Sequence, residues 1–136
     1  MRNRSLASDH VHRAEVRLAA LDVLFDAGSW ADVVRESQEL VELALKGLLR
    51  AAGVVPPRVH DLSDVLEAEQ ERLPEAVRAR LGELTGVSRE LRRDRELAFY
   101  GAEDLTPSGF YQRSDAERAR RAAGMVVEVV RPHVED

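Results

Sequence analysis

At 136 residues the chain is one domain, long enough to bury roughly two-thirds of its unfolded surface, and without cysteine it has no disulfide, thiolate or cysteine-zinc site. A net charge of −5 disfavours nonspecific attachment to a nucleic-acid backbone, and every basic position except Lys46 and the histidines is arginine, a bias that genomic base composition explains. No apolar run approaches the roughly 20 residues of a membrane span, and Met1-Arg2-Asn3-Arg4-Ser5 does not lead into a signal-peptide core, so the expected compartment is the cytoplasm.

Apolar periodicity is helical throughout. Val11, Ala14, Leu18, Leu21 and Phe25 recur at spacings of three and four, and Gly28 stands where such a helix would be capped. Ser29 is placed as the N-cap of a second helix, with Asp32 in its first turn. That helix carries Val34, Val41, Leu45, Leu48 and Ala52, widened by Trp30, Val33, Leu40 and Ala44; so broad an apolar face marks the central helix of a bundle. Gly53 and then Pro56-Pro57 end it.

Val59-His60-Asp61-Leu62 leads into a short helix ending near Leu73. Pro74 suits the first turn of a long fourth helix running through Val77, Leu81, Leu84, Val87, Leu91 and Ala98 to Tyr100. Gly82 and Gly86 inside it permit either a close helix contact or a kink. Gly101 is expected to cap it, residues 102–113 to form a loop, and Ser114-Asp115-Ala116-Glu117 to form a capping box opening a last helix that stops at Pro132. The expected architecture is all-α, an antiparallel up-and-down bundle of four to five helices within a single domain over residues 1–136.

Few residues carry chemistry. On a helical wheel Arg95 falls between Leu91 and Phe99, inside the apolar arc, and Arg92 borders it. A buried guanidinium keeps its charge and requires acceptors, supplied either by an acidic residue of the chain or by a ligand or dimer seam. Arg35, Gln38, Glu39, Glu42, Lys46 and Arg50 form a stripe opposite the core face of the second helix. It reads as solvated, with Glu42 and Lys46 an i,i+4 pair and Gln38 at its margin, able to hydrogen-bond across helices. His60 reads as a capping or packing histidine, with catalysis as the alternative. His10 and His12 diverge on a helix, His133 is terminal, and no grouping has metal-ligand spacing.

Three stretches together resemble the HEPN family. Ser29 to Leu49, with Gln38, Glu42 and Lys46 among small apolar residues, is similar to its second helix. Val59-His60-Asp61-Leu62, after a Gly-Val-Pro-type linker, is similar to the start of its third. Arg92-Arg93-Asp94-Arg95-Glu96-Leu97-Ala98-Phe99-Tyr100-Gly101 is similar to its signature helix end. The resemblance covers nearly the whole chain. It implies a helical bundle, a homodimer, no cofactor, and one of several roles. These are a metal-independent ribonuclease of toxin type, a partner of a minimal nucleotidyltransferase, and a noncatalytic RNA- or nucleotide-binding module.

In the ribonuclease members four to six residues separate an arginine from a following histidine. Counting from Arg95, that window holds Tyr100, Gly101 and Ala102 instead. Tyrosine is a poor general base at neutral pH but can donate a hydrogen bond or stack on a base. Binding is therefore expected over cleavage, with Arg92, Arg95, Tyr100 and Lys46 as ligand contacts. If chemistry remains, Arg95, Tyr100 and His60 are the candidates to carry it. A noncatalytic helical adaptor is the third reading.

Overall fold

The computed structural model describes residues 4–100 and 106–134, with side chains over 5–92 and 106–134. Within them the elements are α1 (Arg4–Asp26), α2 (Trp30–Ala51), α3 (Ser63–Ala68), α4 (Glu75–Arg78), α5 (Leu81–Tyr100), α6 (Pro107–Phe110) and α7 (Arg113–Val130). The described residues hold no strand. Single 3-10 turns follow α3 at Gln70–Arg72 and α7 at Arg131–His133.

The two long leading helices end in the same way. Gly28 and Gly53 take φ of 71° and 83°, the left-handed region that costs glycine no Cβ clash. Ser29 N–H then donates to the Leu24 carbonyl, and Val54 N–H to that of Leu49, closing Schellman caps. Ser29 does precede α2, but its hydroxyl donates to Asp32 Oδ2 at 2.5 Å instead of accepting from the helix backbone.

α2 is the axis of the bundle. It contacts α1, α5 and α7, and of its own residues only Asp32 is exposed. Ala7, Val11, Ala14, Leu21 and Phe25 of α1 pack on one side of one continuous core, with Leu84 and Leu91 of α5 and Ala119, Ala123, Val126 and Val130 of α7 on the others. α1 runs antiparallel to α2, because Arg17 Nη1 meets Glu36 Oε1 at 2.6 Å while Ala7 and Val11 lie against Gly47. Phe25 stacks edge-on with Trp30 at 5.0 Å, and the Arg120 guanidinium lies 3.8 Å from the Phe25 ring centroid.

Three local expectations change. The helix expected to run unbroken from Pro74 is interrupted at Ala79–Arg80: Arg80 N–H bonds to the Val77 carbonyl, three residues back, and the Arg80 carbonyl then starts α5 by accepting from Leu84. Val77 and Leu84 are both fully buried seven residues apart, so the apolar spacing is continuous across a break it cannot register. The loop over 102–113 contains a helical turn, α6, capped by Thr106 Oγ1 accepting from Gly109 N–H at 3.0 Å. The last helix is not opened by Ser114 and Glu117. Asp115 Oδ2 accepts from Gln112 N–H at 2.8 Å, and Glu117 pairs with Arg113 at 2.9 Å.

The glycines also sort differently. Gly82 and Gly86 are exposed, with nothing within 4 Å of where a Cβ would stand, so neither makes a close contact. Gly47 does: a Cβ there would meet the Ala7 carbonyl oxygen and Val11 Cγ2 at 3.0 Å. Gly82→Ala and Gly86→Ala are therefore expected to raise stability by about 0.5–1 kcal/mol each, because alanine loses less backbone entropy in a helix. Gly47→Ala is expected to lower it by about 1–3 kcal/mol through overpacking. Urea midpoints of the three variants check this; a stabilised Gly47→Ala contradicts the close α1–α2 contact.

Candidate functional site

The polar stripe of α2 is only partly solvated. Arg35, Glu39, Glu42, Lys46 and Arg50 are all half-buried, and Gln38 is buried with its Oε1 lacking a hydrogen-bond partner. Helix α2 is too enclosed to turn this face fully to water. Its charges must be satisfied by whatever the chain brings across it.

For Glu42 that is the segment before α3. His60 Nδ1 stands 2.5 Å from Glu42 Oε1, and Lys46 Nζ stands 3.7 Å from Glu42 Oε2. An ionised carboxylate only accepts, so Nδ1 carries the proton and donates. That leaves Nε2 as the ring atom free for other partners, and the His60 side chain is 42% exposed against 13% for Glu42. His60 is thus a histidine oriented by a half-buried carboxylate. The Lys46–Glu42 separation is an ion pair without a hydrogen bond, which leaves the ammonium donors for other acceptors.

The neighbouring Asp61 does the structural work. Its Oδ1 accepts from Ser63 N–H at 2.9 Å, Ser63 Oγ at 2.7 Å and Ser88 Oγ at 3.2 Å. Ser88 Oγ in turn accepts from Leu62 N–H at 2.9 Å. One residue therefore reaches α2 and the next is bound to α5, so the His60 backbone is held from both sides. Burial opposes the Asp61 charge most strongly, but the bonds from Ser63 and Ser88 more than offset it and hold the carboxyl below its usual range.

Of the expected site residues outside this cluster, only Arg92 has a described side chain. Arg92 is half-buried on α5. Arg95 and Tyr100 lie in the last turns of α5, outside the residues whose side chains are described, and Gly101 lies outside the described residues. Sequence reasoning missed the role of Glu42 as the shared partner of His60 and Lys46. The i,i+4 spacing to Lys46 was visible, but nothing local links Glu42 to a histidine 18 residues on. Among the described residues no helix is long and apolar enough to cross a membrane, and no group of three or more His, Asp or Glu is placed to hold a metal ion.

The family model for the HEPN domain matches residues 7–133, from the first turns of α1 to the turn after α7. The chain belongs to the HEPN family. Neither the curated proteins nor the solved structures yield a match. In this HEPN protein the stretch similar to the family's second helix is α2, and the Val59–Leu62 stretch is the one that carries His60 against it.

The Asp61 network makes a pH prediction. Its folded pKa lies below the unfolded value, so ionised Asp61 stabilises the fold fully above about pH 4. That contribution is lost as the pH falls through the lower folded value. The stability gap between the wild type and Asp61→Asn, from urea unfolding at pH 2–6, is expected to shrink towards acid. A gap that is constant over this range contradicts the assignment.

Proposed function

We propose that this HEPN protein is a nucleotide- or RNA-binding module that offers the polar stripe of α2 to phosphate and base edges. The observation that carries the reading is the Glu42–His60–Lys46 cluster: three titratable groups on and against the central helix, with one imidazole nitrogen and the ammonium donors left over. Lys46 supplies charge to a phosphate, and His60 Nε2 accepts from, or when protonated donates to, the same ligand. Arg92, Arg95 and Tyr100 are the further contacts of this reading. The protein acts as a homodimer and as the partner of a minimal nucleotidyltransferase in a toxin–antitoxin-like pair; a coding sequence for such an enzyme beside this one is what that pairing requires.

Fluorescence anisotropy with short RNA oligonucleotides and with nucleotides tests the binding. A charge-assisted contact is worth about 1.5–3 kcal/mol, so Lys46→Ala is expected to weaken binding by about tenfold or more. Binding as tight in Lys46→Ala as in the wild type, or none in either, contradicts the site.

The Glu42–His60 pair favours a second reading, a metal-independent ribonuclease in which His60 replaces the histidine missing after Arg95. A carboxylate behind Nδ1 fixes the tautomer in which Nε2 can take a proton, and it stabilises the imidazolium that results. RNA cleavage in EDTA that is lost in His60→Ala and in Arg95→Ala supports this reading. Intact RNA leaves the binding module as the function.

A further inference from the structure

Among the described residues, positive charge gathers at the end of the bundle where α1 begins and α2 finishes, and only part of it is paired. Gly47 lets α1 approach closely there: a Cβ on it would stand 3.3 Å from the Cβ of His10. His10 thus lies over the turn of α2 that carries Lys46, just before Gly47, and Arg50, one turn after Lys46. Arg50 is half-buried, and its Nε is shut away from solvent without an acceptor. Among the described residues no ion pair or hydrogen bond reaches its guanidinium. His10 Nδ1 is likewise buried without a partner. Lys46 has only Glu42, at 3.7 Å, and that carboxylate is shared with His60. Arg13, exposed on the next turn of α1, is a further cation facing His10, and Asp9 is the acid opposing them.

The helix dipole accounts for a cation in the last turn of α2. It does not account for Arg50 Nε, which is shut away from solvent beside His10 with no acceptor among the described residues although the guanidinium stays charged. We propose that His10, Lys46 and Arg50 form an anion seat at this end of the bundle, and that it takes a phosphate group of the nucleotide or RNA. The identity of the ligand rests on the binding reading above; the seat itself does not.

Electrostatics at His10 agree with a cationic seat. Burial lowers its pKa most, Arg50, Arg13 and Lys46 lower it further, and Asp9 acts against them. A phosphate among these cations supplies the opposite field, so His10 then takes a proton and donates to the anion.

The test is an NMR titration of the His10 ring protons with chloride, sulfate or inorganic phosphate at matched ionic strength. Sulfate and phosphate are expected to raise the His10 pKa by about one unit or more. Chloride is expected not to, and the rise should vanish in Arg50→Gln and shrink in Lys46→Gln. A His10 pKa indifferent to both oxyanions, or raised equally in Arg50→Gln, overturns the seat. Oligonucleotides with a 5′-phosphate or a 5′-hydroxyl then identify the source. A preference for the first assigns a terminal phosphate and equal binding assigns the backbone, provided Arg50→Gln weakens it; RNA binding untouched by Arg50→Gln overturns the phosphate assignment. If RNA binds but the oxyanions do nothing at His10, the seat fails and the binding reading stands; oxyanion binding without RNA binding shows the reverse.

Discussion

A half-buried carboxylate needs partners, and Glu42 on α2 has one on its own helix, Lys46, and one brought to it by the chain, His60. α1, α5 and α7 cover the apolar sides of α2, so its remaining face lies in a half-buried strip where water alone is a poor partner. The chain answers by bringing the segment after Pro57 across the strip. His60 meets Glu42, while Asp61 accepts three hydrogen bonds that tie the same segment to the start of α3 and to Ser88 of α5. The same connection buries Leu62, Leu66, Leu73 and Val77 in the core, so its path serves both the two acids and the apolar packing.

α2 is also where the fold leaves polarity unresolved. Gln38 Oε1 and Arg50 Nε on the strip, and Ser37 Oγ on the core face, are buried without hydrogen bonds, and so is His10 Nδ1 on the facing turn of α1. Each such atom costs about 1–3 kcal/mol relative to a satisfied one. An apolar residue in place of Arg50 would avoid that cost, and a ligand that supplies acceptors would remove it. Three of these four atoms lie on α2, the helix that also carries Lys46, the only lysine of the chain.

Much of the bundle was legible because it rests on repeated local signals. The apolar stripe of α1, the breadth of α2 and both glycine caps are written in spacing and residue type, and the structure places Gly28 and Gly53 where those signals put them. What was not legible depended on contacts between distant residues. The break between α4 and α5 preserves the apolar period, so no sequence pattern marks it. Gly47 looks like an unremarkable helical glycine until α1 is laid across it, whereas Gly82 and Gly86 look purposeful and touch nothing. The polar stripe was misread as solvated because amphipathicity reports which face avoids water, not whether the other face reaches it. His60 could be singled out, but its partner could not, since the bond to Glu42 closes across a connection that contains two prolines and no local constraint.

The account stands on Glu42 holding His60 so that one ring nitrogen is left for a ligand. Long-range proton–nitrogen NMR of the His60 ring, recorded with and without RNA, measures that directly. The account predicts a ring protonated on Nδ1 and bare on Nε2 in the free protein, with the Nε2 resonance moving as RNA is added. A ring protonated on Nε2, or one whose nitrogens are unmoved by RNA that binds elsewhere on the protein, contradicts it.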